Sequence, residues 1–329
     1  MKITILDDYQ GALRGLECIR LLEGHEVTGW DDHVADSDEL VARLASTEAL
    51  VLIRERSRMP APLLERLPNL KLISNLGSHG HVDVEACTRL GIAVASAAPA
   101  PGTFNNTAEL TWGLILAAMR QIPQQVAALR NGAWAPMTGR NLNGNTLGIY
   151  GYGRLGSVVA GYGRAFGMHV VILARPDSAT RAAADGYEIA ESREAFFSQC
   201  DVVSLHLRLL DETRGTVRES DLTQMKPDAL LVNTSRAELI APGALVAALE
   251  AGRPGMAALD VYDEEPFEDA NHPLLNMPNV VCTPHIGYVT REAFEPSFAD
   301  VFRQIVAYAD GAPTNLVNPE VLGRSMPGR

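Results

Sequence analysis

The chain has 329 residues, of which 47% are hydrophobic, and its formal net charge is −12 at pH 7. A chain of this length is too long for a single hydrophobic core and is predicted to form two α/β domains. Its negative charge and the lack of a basic patch argue against nucleic acid as a partner. The four cysteines lack C-x-x-C spacing, and neither a membrane-spanning apolar run nor a signal-peptide pattern is present, so we expect a reduced, cytoplasmic protein without zinc.

The first hundred residues alternate strand-like and helix-like segments, which predicts a mostly parallel sheet covered by helices. The predicted strands are Ile3–Leu6, Glu26–Trp30, Leu50–Ile53, Leu70–Ile73 and Ile92–Ser96. Polar residues follow two of them, at Arg54–Arg58 and Ser74–His81, and such sheets bind ligands outside the carboxyl ends of their strands. His79 and His81 have the spacing of metal ligands, but no third ligand is evident, so we predict no metal site.

The middle of the chain is predicted to join two α/β units. An Ala-, Pro- and Gly-rich linker is expected at Ala97–Asn106, and a long helix over Thr107–Leu129, which Pro123 should kink or end locally. Further strands are predicted at Val170–Leu173, Val202–Leu205, Leu230–Val232, Met256–Val261 and Val280–Cys282, and a last helix at Arg291–Ala309.

A G-x-G-x-x-G motif, Gly151, Gly153 and Gly156, lies between the strand-like run Leu147–Tyr150 and a helix-like segment. This β-turn-α context is what the dinucleotide-binding fingerprint requires. The first glycine permits a tight turn, the second lets the backbone approach a pyrophosphate, and the third lets the helix pack closely on its strand. The alternative is a glycine-rich turn without a cofactor.

Three strand ends of the second α/β unit carry residues suited to acid–base chemistry: Arg236, Glu265 and His285. Because parallel strands end at one edge of a sheet, we expect these side chains to converge near the dinucleotide cleft. Arg236 can bind a carboxylate and polarise a carbonyl, His285 can protonate an alkoxide, and Glu265 can favour the charged imidazole. Alternatively, Arg236 pairs with Glu238, His285 is a loop histidine, and Glu264 with Glu265 forms a solvated turn.

With these motifs the chain resembles the D-isomer-specific 2-hydroxyacid dehydrogenases, a family that includes glyoxylate/hydroxypyruvate reductases and phosphoglycerate dehydrogenases. The matching stretches are Leu147–Gly156, Val202–Gly215, Leu231–Leu239, Ala258–Pro266, Thr283–Gly287, Asn106–Arg120 and Asn315–Glu320. The resemblance implies two Rossmann-like, doubly wound parallel-sheet α/β domains. Residues 1–100 and 291–329 would form a flavodoxin-like substrate domain, and residues 101–290 the dinucleotide-binding domain.

The resemblance also implies the site residues. The catalytic residues would be Arg236, Glu265 and His285. The cofactor contacts would be Gly151, Gly153, Arg154, Leu155, Gly156, Arg175, His206, Thr213, Thr234, Asp260 and Gly287, with Asp260 as the carboxylate for the nicotinamide amide. The substrate contacts would be Arg54, Gly77, Ser78 and Arg236, with Arg56 as the alternative to Arg54. The family is typically a homodimer, and its interface arm would contain Trp134.

One departure from the family pattern concerns the cofactor. A carboxylate usually follows the second strand of the dinucleotide domain and binds the ribose of NAD, but here Arg175 follows it. Arg175 can pair with the 2′-phosphate of NADP, and Arg208 can reach the same pocket, whereas Asp177 can bind the ribose instead. We predict NADP or NAD as the cofactor, with NADP favoured.

The favoured prediction is a reductase of small 2-oxo acids to D-2-hydroxy acids, or the reverse, with no membrane partner. A dinucleotide-sensing protein that resembles the C-terminal-binding-protein corepressors can keep the same three catalytic residues, but the long interaction tails are absent here. An adenosylhomocysteine hydrolase-like enzyme fits the placement of these residues less well. The substrate side chain is not identified by the sequence.

Overall fold

The computed structural model describes residues 1–97, 104–134, 137–266 and 269–323. Its strands are Lys2–Ile5 (β1), Glu26–Gly29 (β2), Ala49–Ile53 (β3), Leu72–Leu76 (β4), Ala93–Ala97 (β5), Thr146–Tyr150 (β6), His169–Leu173 (β7), Glu188–Ile189 (β8), Val202–Leu205 (β9), Leu230–Asn233 (β10), Met256–Leu259 (β11) and Val280–Cys282 (β12). Its α-helices are Ser37–Leu44 (α1), Ala61–Leu64 (α2), Val84–Leu90 (α3), Phe104–Met119 (α4), Ile122–Arg130 (α5), Arg154–Ala165 (α6), Pro176–Ala184 (α7), Arg193–Gln199 (α8), Glu219–Leu222 (α9), Ala244–Glu250 (α10), Pro273–Asn276 (α11) and Arg291–Ala309 (α12).

The chain forms two compact units, and the first consists of residues 1–103 and 290–329. Its five strands are all parallel, in the order β2-β1-β3-β4-β5, which is the flavodoxin-like order. The central strand β3 reads Ala-Leu-Val-Leu-Ile and is fully buried. A parallel strand covered by helices on both faces requires such a continuous apolar run.

The second unit, residues 104–289, contains a seven-stranded parallel sheet in the order β12-β11-β10-β9-β6-β7-β8. The strand order reverses at β6, so this strand marks the topological switch point at which doubly wound sheets bind ligands. Apolar side chains of α4, α6 and the sheet form one core, to which Trp112, Ile149, Val159 and Val232 contribute. The predicted fold class is confirmed.

The strand predicted at Leu70–Ile73 is displaced in the structure, where β4 runs from Leu72 to Leu76. Ser74 and Asn75, which looked like the start of a polar loop, lie inside this buried strand. Both side chains donate hydrogen bonds inside the protein: Ser74 Oγ donates to Gln304 Oε1 at 2.7 Å, and Asn75 Nδ2 donates to Ser78 O at 2.6 Å. The prediction from residue polarity therefore ended this strand too early.

The helix predicted at Thr107–Leu129 is two helices. Helix α4 ends at Met119, and Gln121 has a φ of +52°, which no α-helix accommodates. Pro123 lies in the first turn of α5, where its missing N–H costs no hydrogen bond. Of the linker predicted at Ala97–Asn106, residues 98–103 lie outside the described residues, and the remainder belongs to β5 and α4.

The described residues contain neither a membrane-spanning helix nor a metal-binding cluster. No helix in these ranges is both long and apolar enough to cross a membrane. Likewise, within these ranges no cluster of three or more His, Cys, Asp or Glu side chains is arranged to hold a metal ion.

Candidate active site

The glycine-rich turn, Gly151 to Gly156, joins β6 to α6 at the switch point. Gly151 has a φ of +103°, and a Cβ there would lie 2.7 Å from His206 O. A Cβ on Gly156 would lie 2.1 Å from Gly151 O, so this close contact between turn and helix excludes any side chain. Gly153, in contrast, is exposed and its Cβ position has no atom within 4 Å. The backbone at the second glycine is therefore open to a ligand.

Two further cofactor candidates, Arg154 and Leu155, begin α6 directly after this open glycine. Their position places the backbone amides of the first helical turn beside it. A helix N-terminus of this kind offers N–H donors and a partial positive charge to an anion. The turn and the helix together therefore have the features of a pyrophosphate site.

His206 is a buried histidine directly after β9. Its Nε2 lies 2.9 Å from Ser204 Oγ, and its Nδ1 has no partner among the described residues. Burial lowers the pKa of His206 to about 3, because an imidazolium would lose its hydration there. The ring is therefore neutral at pH 7, and its backbone carbonyl forms the wall behind Gly151.

The hydroxyl groups of Thr213 and Thr234 are engaged within the second unit. Thr213 Oγ1 accepts from Leu210 N at 2.8 Å and donates to Arg208 O at 2.7 Å, which closes the turn after β9. Thr234 is buried after β10, and its Oγ1 lies 2.7 Å from Thr111 Oγ1 of α4. Thr213 therefore orders the loop after β9, and Thr234 links the end of β10 to α4.

Arg175 is the N-cap residue of α7 and directly follows the short connection after β7. Its Nη1 lies 3.6 Å from Glu212 Oε1, and the two side chains are 73% and 69% exposed. Asp177 lies in the first turn of the same helix and is exposed. Glu212 has no signal in the sequence, because its partner Arg175 lies on a loop after a different strand.

Glu265 and His285 are in direct contact. His285 Nδ1 lies 2.5 Å from Glu265 Oε2, and Tyr262 N donates to Glu265 Oε1 at 3.0 Å. Burial opposes ionisation of Glu265, but the hydrogen bond and charge of His285, the Tyr262 amide and the charge of Arg236 outweigh it and hold the pKa of Glu265 below its usual value. The carboxylate thus holds one ring nitrogen and leaves Nε2 available for proton transfer.

Arg236 is half-buried and follows β10. Asn233 Nδ2 donates to Arg236 O at 2.8 Å, and Arg236 Nη1 donates to Ser235 O at 2.7 Å. The alternative pairing with Glu238 is not observed, because Glu238 Oε1 lies 3.6 Å from Arg214 Nη1 instead. The charge of Arg236 is the smallest of the causes that lower the pKa of Glu265, after the contacts with His285 and the Tyr262 amide.

Asp260 holds the histidine loop, which we define as Thr283–Gly287. Asp260 is buried, and its carboxylate accepts from Thr283 Oγ1 at 2.5 Å, Ile286 N at 2.8 Å and Gly287 N at 2.8 Å. Burial raises the pKa of Asp260, although these three hydrogen bonds act in the opposite direction. From α4, Thr107 Oγ1 donates to Gly287 O at 2.9 Å. The loop is thus fixed from two sides.

The candidate substrate residues of the first unit lie after β3 and β4. Gly77 has a φ of +96°, and a Cβ there would lie 3.3 Å from Arg54 Nη1, so the two residues are neighbours. The amide of Gly77 donates to Ala97 O at 3.0 Å and is therefore already used. Ser78 is exposed at the tip of the same loop.

Arg56, the alternative to Arg54, turns toward the end of β1. Its guanidinium lies over the ring of Tyr9 at 4.4 Å, and its Nη1 donates to Asp7 O at 2.5 Å. Of the two arginines, Arg54 is the one beside Gly77.

The chain is similar to known proteins over most of its length. Residues 112–287 match the family described as "D-isomer specific 2-hydroxyacid dehydrogenase, NAD binding domain". A glyoxylate reductase from Aeropyrum pernix is 38% identical over 326 residues, which cover 95% of this chain and 96% of that protein. Among solved structures, a candidate D-3-phosphoglycerate dehydrogenase from Ralstonia solanacearum is 50% identical, with a TM-score of 0.92 and 98% of each chain covered. A phosphoglycerate oxidoreductase from Vibrio cholerae is 46% identical, with a TM-score of 0.90 and coverage of 95% and 100%.

Proposed function

Since the chain belongs to the D-isomer-specific 2-hydroxyacid dehydrogenase family, we propose that it reduces a small 2-oxo acid to a D-2-hydroxy acid, or catalyses the reverse oxidation. The observation that carries this proposal is the 2.5 Å contact between His285 Nδ1 and Glu265 Oε2, close to Arg236. All three residues follow strands at the same edge of the sheet as the glycine-rich turn. A paired imidazole beside a guanidinium is suited to acid–base chemistry on a carboxylate substrate.

In the reduction, Arg236 binds the substrate carboxylate and polarises the adjacent carbonyl. His285 donates the proton on Nε2 to the carbonyl oxygen, which becomes the hydroxyl group. Glu265 accepts the hydrogen bond from Nδ1 and so orients the imidazole, with its negative charge beside the ring. A nicotinamide nucleotide supplies the hydride to the carbonyl carbon when it is bound.

The residues of the second unit fit such a nucleotide. Gly151 and Gly156 pack where a side chain cannot be accommodated, and Gly153 leaves the backbone open next to the N-terminus of α6. These features suit a pyrophosphate. Arg175 follows the second strand of the dinucleotide-binding sheet, and its charge supports NADP as well as NAD. We therefore propose that both cofactors are used.

We propose Arg54 as the residue that binds an anionic substrate tail. Its side chain lies beside Gly77 on a loop after β4, whereas Arg56 is engaged by Asp7 and Tyr9. Because the Gly77 amide donates to Ala97, the amide of Ser78 is the better candidate for a backbone contact to the substrate.

A homodimer is proposed from the surface of α5. Ile122, Val126 and Leu129 are 48%, 42% and 59% exposed, and their i, i+4, i+7 spacing places them on one face of this helix. Trp134, shortly after the helix, is 86% exposed. Apolar side chains aligned in this way are typical of a surface covered by another subunit.

The test is a panel of 2-oxo acids, namely glyoxylate, hydroxypyruvate and phosphohydroxypyruvate, each assayed with NADH and NADPH. We expect turnover of at least one acid to a product of D configuration. Arg54→Ala should lower kcat/KM more for the phosphorylated acid than for glyoxylate, whereas Arg20→Ala, an exposed arginine of the same unit, should affect neither. Nucleotide binding without any turnover would contradict the proposal and favour the dinucleotide-sensing alternative.

A further inference from the structure

The ion pair between Arg175 and Glu212 joins two loops of the cofactor-binding edge. Arg175 lies after β7 and Glu212 after β9, and in the sheet these two strands flank β6. The pair therefore spans the carboxyl end of β6, where the glycine-rich turn begins. In doubly wound dinucleotide domains, the residue after the second strand distinguishes a ribose hydroxyl from a 2′-phosphate. Glu212 thus places a carboxylate at the point where that distinction is made.

We propose that Glu212 sets the choice between NADPH and NADH by competing with the 2′-phosphate for Arg175. This inference rests on the proposed function, since it assumes that a nicotinamide nucleotide binds at the glycine-rich turn. A phosphomonoester carries about two negative charges near pH 7 and can pair with Arg175 more strongly than a carboxylate does. To do so it must displace Glu212 and approach that carboxylate, which repels it. A nucleotide without the 2′-phosphate meets neither cost.

The turn that carries Glu212 is ordered by its own hydrogen bonds. Leu210 N donates to Thr213 Oγ1 at 2.8 Å, and Thr213 N donates to Leu210 O at 3.0 Å. Glu212 lies between these two residues, so its backbone position is fixed within this turn. The neighbouring Asp211 makes no ion pair among the described residues. The effect on the cofactor is therefore assigned to one carboxylate and not to the acidic turn as a whole.

The exposure of the pair is consistent with a role in ligand selection. The side chains of Arg175 and Glu212 are 73% and 69% exposed. An ion pair so open to water contributes little to folding and is screened by salt. It can therefore open for a more highly charged ligand, and its removal should leave the fold intact. The selectivity that it produces should weaken as ionic strength rises.

Calorimetric titration with 2′,5′-ADP and with 5′-AMP tests the proposal without turnover, because these nucleotides differ only in the 2′-phosphate. Glu212→Gln should tighten binding of 2′,5′-ADP about tenfold, the scale expected for removing a unit charge near a divalent anion in water. It should leave 5′-AMP binding within about twofold. Asp211→Asn removes the same charge one residue away and is the matched control. It should leave the ratio of the two affinities near that of the wild type.

A double variant assigns the effect to Arg175. In an Arg175→Gln background, Glu212→Gln should change the ratio of the two affinities less than it does with Arg175 present, because only the direct repulsion of the 2′-phosphate by Glu212 remains. The proposal is overturned if Glu212→Gln leaves that ratio unchanged, or if Asp211→Asn changes it equally. If 5′-AMP binds but the ratio does not respond, only this inference fails. If the wild type binds neither nucleotide, the proposed function of the second unit fails with it.

Discussion

His285 has a φ of +50°, a left-handed conformation that residues with a side chain adopt only infrequently. The surrounding contacts hold it there: Asp260 binds the amides of Ile286 and Gly287, and Glu265 binds the imidazole. Unfavourable backbone conformations persist where neighbouring groups fix them, and they are common at functional sites. The ring is thus placed before any substrate binds.

Removing the charge of Glu265 should change the pH profile. In Glu265→Gln the imidazolium of His285 loses its partner, so it should release its proton at lower pH. Because reduction needs the protonated ring, the pH optimum for reduction should fall by about one unit or more. The measurement is kcat/KM against pH, with Glu264→Gln as the control on the same turn. An unchanged profile in Glu265→Gln would remove Glu265 from the mechanism.

The shape of the Arg236 side chain should matter as much as its charge. An ammonium group cannot form the two parallel hydrogen bonds that a guanidinium gives a carboxylate, so Arg236→Lys should lower kcat/KM for 2-oxo acids about 10²-fold or more. Arg214→Lys is the control, since Arg214 pairs with Glu238 at the surface. Near-normal kcat/KM in Arg236→Lys would show that the guanidinium does not bind the substrate.

His206 should make folding sensitive to acid. Its pKa is about 3 in the folded protein, against an ordinary value of 6.5. Between these two pH values the unfolded chain therefore binds one more proton than the folded protein. The stability associated with a neutral His206 is complete above pH 6.5 and is lost as the pH falls toward 3. The free energy of unfolding should fall by up to about 1.4 kcal/mol per pH unit from this residue.

Urea unfolding of the wild type and of His206→Gln between pH 4.5 and 7.5 gives the free energy of unfolding against pH for each protein. The difference between the two slopes measures the contribution of His206. Equal slopes for the wild type and His206→Gln would mean that the folded and the unfolded protein bind the same number of protons at His206.

At the level of helices, α5 should mediate self-association. Leu129→Ser combined with Trp134→Ser removes two exposed apolar side chains from the proposed interface. We expect the sedimentation coefficient to fall from that of a dimer to that of a monomer, with the far-UV circular dichroism unchanged. Leu322→Ser is the control, because Leu322 is 56% exposed in the first unit. A monomeric wild type would contradict the proposed dimer.

Hydrophobic runs of the sequence predicted most strands, since a buried parallel strand must be apolar along its length. The exceptions have local causes. Ser74 and Asn75 extend β4, because Ser74 donates to the distant Gln304 and Asn75 donates to the loop that follows the strand. Strand β8 has only two residues, too few for a pattern. The break between α4 and α5 depends on the positive φ of Gln121, which nothing in the sequence around this residue indicates.

The hydrogen bonds and ion pairs between different loops were less predictable from the sequence than the helices and strands. Arg236, Glu265 and His285 were found because each follows a strand of one parallel sheet. The Arg175–Glu212 pair and the bonds from Asp260 to the histidine loop depend on side-chain directions and loop shapes, which spacing does not specify. Thr107 was overlooked for the same reason, as its bond to Gly287 spans 180 residues.

For the molecule as a whole, the seven-stranded sheet explains why one unit carries both kinds of candidate residue. The glycine-rich turn, Arg175 and His206 follow β6, β7 and β9, whereas Arg236, Glu265 and His285 follow β10, β11 and β12. A parallel sheet brings all these strand ends to one edge. The candidate pyrophosphate site and the candidate proton-transfer residues thus follow different strands, and the two roles should be separable by mutation.

The most direct test of the proposed mechanism is single-turnover oxidation of bound NADH by glyoxylate, or by the best acid of the panel, in the wild type and in His285→Ala. The NADH dissociation constant is measured on the same samples. We predict that His285→Ala keeps NADH affinity within about twofold, because His285 lies outside the glycine-rich turn, and slows the turnover by about 10²–10⁴-fold, the usual contribution of a general acid. Equal single-turnover rates in the two proteins, with NADH bound, would contradict the assignment of His285 as the proton donor.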